Sequence, residues 1–184
     1  MTENYIVIHG SFSSSYNNWF PWIHETLTKQ NKNIIVPSFP SGLEYQNYTN
    51  WSKVLNSYKD CGLINSNTTI IAHSIGSIFT IKYLLTSKIK IKKLISIAGF
   101  NNYLGGAEEY DQVNSSFFLE NTTQIKEYVD KVVCIYSDND PYLPKEVLED
   151  FAQTLTEEPI IIPNGGHLNS ESGYIKFERI LEFI

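Results

Sequence analysis

Only two cysteines occur in the 184 residues, Cys61 and Cys134, and they stand far apart without the spacing of a metal ligand pair. A disulfide framework needs more cysteines, and the apolar run "VVCIYS" around Cys134 reads as a buried thiol of a reducing compartment. The four histidines, His9, His24, His73 and His167, show no His-x-x-x-His pair, so no metal and no hydrolytic zinc site is expected. No apolar run approaches the ~18 residues of a membrane span, and no leader-like series of basic, apolar and small residues opens the chain. The expectation is a cytoplasmic protein with no membrane partner.

Basic clusters are missing too. Lysine and arginine are scattered singly apart from "KIKIKKL" at 88–94, within a formal net charge of −6. Phosphate backbones require clustered cations, so nucleic acid is excluded as a partner. Five Asn-x-Ser/Thr matches, at Asn47, Asn50, Asn67, Asn114 and Asn121, are what a chain with 17 asparagines yields by chance. No internal repeat or low-complexity linker divides the sequence, and 42% apolar content suffices for one core, so residues 1–184 are expected to form a single domain.

What is present is an alternation. Short β-branched runs at 5–10, 33–37, 68–74, 93–99, 132–137 and 159–164 read as strands. Between them, Trp51, Val54, Leu55 and Tyr58 keep a helical period, as do Ile78, Ile81 and Leu85, and Val147, Leu148, Phe151 and Leu155. A first helix opens near Pro21, whose missing N–H costs nothing in a first turn, and a last helix is expected over about 173–184. The pattern predicts a three-layer α/β/α sandwich around an open, mostly parallel sheet of about six strands. Residues 100–122, with a Gly pair and no clean period, read as an irregular excursion with a short helix, whose aromatic residues could overhang a pocket.

At "TIIAHSIGSIF", 69–79, a strand pattern runs straight into a helical one with Ser74 at the join. Ala72 and Gly76 flank Ser74 at minus two and plus two, close to the G-x-S-x-G turn that lifts a serine hydroxyl above a sheet. Such a pattern is weak alone. However, "SDNDPYLP" follows the strand at 132–137 and "NGGH" follows the strand at 159–164, so Asp140 and His167 also lie beyond C-terminal strand ends. In an open α/β sheet that edge carries ligand sites, and the chain order serine, aspartate, histidine is that of the α/β hydrolases.

The segments "YIVIHGSFSSSYNNWFPWIHETL", "AHSIG", "SDNDPYLP" and "GGH" resemble the α/β-hydrolase fold. More narrowly, they resemble the small lidless serine hydrolases of the retinoblastoma-binding protein nine and YdeN family. The resemblance implies a reduced sheet shortened at its N-terminal edge, no lid domain and no cofactor. It implies Ser74, Asp140 and His167 as a triad, with oxyanion N–H groups from Ile75 and Ser11. Asp138 competes with Asp140, but the class pattern sets the acid four residues before a proline, which Pro144 satisfies for Asp140; Asp138 is then a loop-capping carboxylate. The L-x-C-x-E motif tied to retinoblastoma binding is absent at both cysteines.

The chemistry implied is acyl transfer to Ser74, with a small ester or amide as the partner molecule and a carboxylesterase acting on short acyl chains as the leading reading. Phe12, Trp19 and the aromatics of 100–122 are the expected pocket. Two other classes compete: a non-catalytic interaction protein on a hydrolase scaffold, and a nucleotide-binding protein using "HGSFSSS" as a phosphate loop. The second lacks both glycine fingerprints and leaves Asp140 and His167 without a task. Oligomeric state is not legible.

Overall fold

The computed structural model describes residues 3–184. Six strands, β1 (Asn4–Ile8), β2 (Asn33–Ile35), β3 (Thr68–His73), β4 (Ile91–Ile97), β5 (Val129–Ser137) and β6 (Ile160–Ile162), form one sheet in the order β2-β1-β3-β4-β5-β6. Every pairing is parallel. From β1 the chain first builds outward to β2, then returns to lay β3 on the other side of β1. The loops leaving β1 and β3 therefore diverge, and a crevice opens beyond their C-terminal ends.

The inner strands β1, β3, β4 and β5 are largely buried on both faces, and their alternation sorts two cores. Ile6, Ile8, Ile70, Ala72, Leu94, Cys134 and Tyr136 face one helical layer, while Tyr5, Val7, Ile71, Ile95, Ile97, Val133 and Ile135 face the other. The first layer holds α2 (Tyr48–Asp60), α3 (Ile75–Ser87) and α5 (Lys145–Leu155), anchored by Trp51, Phe79 and Phe151. The second holds α1 (Phe20–Lys29), through Phe20, Ile23 and Leu27. The expected three-layer sandwich is the observed one, with the sheet parallel throughout.

Local chemistry sets the helix ends. Pro21 lies in the first turn of α1, and the Asn47 side chain caps α2 by accepting the Asn50 N–H at 2.9 Å. The helix expected over 173–184 does not form: Gly173 takes φ +89°, and only a 3-10 helix at Glu178–Phe183 follows. Phe177 and Ile180, three apart, are buried in the α1-side core, a spacing that the three-residue period of a 3-10 turn keeps on one face. The excursion carries a short helix, α4 (Glu108–Asn114), as expected, followed by a 3-10 turn at Ser115–Phe117.

Candidate active site

Ser74 is the single residue between β3 and α3, and it sits at φ 56°, ψ −130°, a conformation that side-chain-bearing residues avoid. Its N–H donates to Ile97 O at 2.8 Å, pinning the turn to β4. Small neighbours are obligatory here. A Cβ on Gly76 would come within 2.6 Å of His9 O, and one on Gly10 within 2.9 Å of Ser74 Cβ. The Ser74 side chain does not cap its own helix, and with the residue 7% exposed the hydroxyl is left at the floor of the crevice.

The loops after β5 and β6 are joined side chain by side chain. Ser137 Oγ accepts the Gly165 N–H, Asp138 Oδ1 the Asn164 N–H and Asn139 Oδ1 the Gly166 N–H, each at 2.8 Å. The fourth residue, Asp140, has a fully buried side chain whose Oδ2 lies 2.6 Å from His167 Nδ1. Its Oδ1 accepts the N–H groups of Tyr142 (2.9 Å) and Leu143 (3.2 Å). A carboxylate held this way cannot turn, so the imidazole is fixed with Nδ1 toward Asp140 and Nε2 away from it. Asp138 is the loop-capping carboxylate, as expected.

Two more histidines brace the site. His73 donates from Nε2 to the His167 carbonyl at 3.0 Å, and the rings meet edge to face at 4.9 Å. His9 accepts the Phe39 N–H on Nε2 (2.9 Å) and donates from Nδ1 to Gly10 O (2.8 Å). Burial pushes His9 down to about 4 and His73 to about 3, so both are neutral near pH 7. Turning the Gly10 carbonyl toward His9 turns the Ser11 N–H of the same planar peptide the opposite way. The Phe12 N–H is occupied by Gln46 Oε1 at 2.8 Å, and Ser11 Oγ donates to Asn114 Oδ1 at 2.5 Å. Ile75 opens α3, where a first-turn N–H has no intrahelical acceptor.

Ser74, His167, Ser11 and Phe12 line one cavity of about 560 Å³, walled on one side by Phe100, Tyr103 and Tyr110 of the excursion. Trp19 does not belong to it. That indole is fully buried in the α1-side core, stacked edge to face on Phe20, and its Nε1–H holds Leu168 O at 3.0 Å. It sits behind the His167 loop because α1 must cover Tyr5, Val7 and Ile71. The bracing by Ser137 and Asn139 was not anticipated from sequence, although the unbroken polar run "SDND" facing "NGGH" is the signal that could have suggested it. Among the described residues no group of three metal-ligating side chains forms, and no helix is long and apolar enough to cross a membrane.

Residues 5–184 match the sequence model of the family described as "Serine hydrolase". The chain is 26% identical over 186 aligned positions to the YdeN protein of Bacillus subtilis (strain 168), covering all of this chain and 95% of that one. The crystal structure of the B. subtilis ydeN gene product superposes with a TM-score of 0.85 at 22% identity, over 99% of this chain and 96% of that one. MGS-MChE2, an alpha/beta hydrolase enzyme from a sediment metagenome of the lagoon of Mar Chica, superposes with a TM-score of 0.67 at 15% identity, over 100% and 90%. At these identities the two structural likenesses speak to the fold.

Proposed function

The chain belongs to the serine hydrolase family, and on that premise we propose that it is a carboxylesterase acting on small or short-chain acyl substrates through Ser74, His167 and Asp140. His167 takes the Ser74 proton as the hydroxyl attacks the carbonyl carbon, and then hands it to the leaving oxygen. Asp140 holds the ring and stabilises its charged form. The N–H groups of Ser11 and Ile75 receive the developing oxyanion, and water then releases the acyl group from Ser74. Within the family, the segments around His9, Ser74 and His167 favour the small lidless branch that includes retinoblastoma-binding protein nine.

The observation that carries this reading is the 2.6 Å contact of a buried carboxylate with the ring of His167, in the cavity that also holds Ser74 at its strained turn. A cavity of about 560 Å³ suits a small ester. The test is labelling with a fluorophosphonate probe, followed by hydrolysis of nitrophenyl esters of two to twelve carbons beside an amide panel. Wild type is expected to label and Ser74→Ala not to, with rates highest for the shortest esters. An unlabelled wild type would point to an interaction protein on a hydrolase scaffold, and a preference for amides would replace the esterase assignment.

A further inference from the structure

The cavity beside Ser74 carries charge of one sign. Its charged lining side chains are Asp111 and Glu171, and no lysine or arginine reaches it although the chain has 14 of them. Five rings, Phe12, Phe100, Tyr103, Tyr110 and Tyr142, line the same space. Phe12 meets Tyr110 edge to face at 5.0 Å, and Tyr142 meets His167 edge to face at 5.1 Å. The Tyr142 hydroxyl donates to Glu171 Oε2, and Asp111 Oδ1 takes the N–H groups of Gly105 (3.3 Å) and Gly106 (3.4 Å). The other oxygen of each carboxylate has no hydrogen-bond partner among the described residues.

We propose that this cavity selects esters whose leaving group carries an ammonium cation, received by the wall of Tyr142 and Glu171. The inference rests on the serine-hydrolase reading of Ser74. In that chemistry His167 protonates the leaving oxygen, so the part of the substrate next to the His167 ring is the leaving alcohol. Tyr142 is the ring packed there, with the Glu171 carboxylate bonded to its hydroxyl. A quaternary ammonium gains from aromatic faces and from a carboxylate close to them. A substrate carrying a carboxylate would meet two like charges and no counter-charge, which is discrimination by repulsion.

The test compares choline with 3,3-dimethylbutan-1-ol, its uncharged carbon isostere, as competitors of fluorophosphonate labelling, and acetylcholine with 3,3-dimethylbutyl acetate as substrates. Choline is expected to protect the wild type at roughly tenfold lower concentration. That ratio should shrink between about 20 mM and about 500 mM salt, as screening predicts. Glu171→Gln should narrow the cation-to-neutral ratio by about threefold or more. Equal protection by the two alcohols, or better protection by the neutral one, overturns the inference while leaving the hydrolase reading standing. Absence of wild-type labelling removes the hydrolase reading and the inference with it. Should Glu171→Gln fail to fold, the wild-type comparison and its salt dependence decide.

Discussion

The two loops that carry Asp140 and His167 and the excursion at 100–122 face each other across one cavity, and they are held in opposite ways. In the first, four consecutive side chains, Ser137 to Asp140, each bond a residue between Asn164 and His167. The excursion is clasped at its base, where Asn101 exchanges two hydrogen bonds with Leu119, and it is nailed by the fully buried Phe117 between Trp51 and Phe79. Beyond that base, Leu104 to Tyr110 are exposed. Reacting groups need to be positioned within fractions of an ångström, which many short bonds achieve. A substrate wall needs only shape and charge, so its tip can vary while its base stays anchored.

The contrast can be broken most sharply at Asp140. Asp140→Asn is expected to lower kcat by about 10³-fold or more, because the ring loses the partner that fixes its tautomer; steady-state kinetics with a nitrophenyl ester checks it. Acid should strike the two buried histidines that brace the site. His9 and His73 are held neutral in the fold, so the unfolded chain binds more protons below the ordinary imidazole value of about 6.5. Stability is complete above that value and falls as pH drops toward the folded values of about 4 and about 3. At pH 5 each imidazole costs about 2 kcal/mol, and together they should lower the melting temperature by about 10 °C relative to pH 7 in thermal scans.

Smaller effects sharpen the comparison. Phe117→Ala removes the nail of the excursion and should destabilise the protein by about 3 kcal/mol in urea titrations. Asp138→Ala, two residues from Asp140, loses one capping bond and should cost about 1 kcal/mol with kcat lowered less than about fivefold. A loss comparable to that of Asp140→Asn would mean that the acid is misassigned. At the exposed tip, Leu104→Ser should shift stability by no more than about 0.5 kcal/mol by the same titration.

The strands were legible because they are short β-branched runs, buried on both faces in the inner strands, and Ser74 stood out because only small residues fit around a strand-to-helix turn. Asp140 was preferred to Asp138 because the hydrolase resemblance sets the acid four residues before a proline, here Pro144. Trp19 was misplaced because an aromatic residue near a predicted pocket and one beneath it have the same local sequence. The C-terminal segment departs from the expected helix at Gly173, which takes φ +89°, and a 3-10 turn suffices to bury Phe177 and Ile180, three apart, on one face.

By itself the sequence determined the layers, the strand set and the residue types at each strand end, since burial and period act over neighbouring positions. Only the tertiary structure decided which of those ends meet. The Asp140–His167 contact, the His73 bond to the His167 carbonyl and the one-signed charge of the cavity each join residues from separate loops. Such encounters depend on how parallel strands are ordered in the sheet, and no local pattern encodes that order.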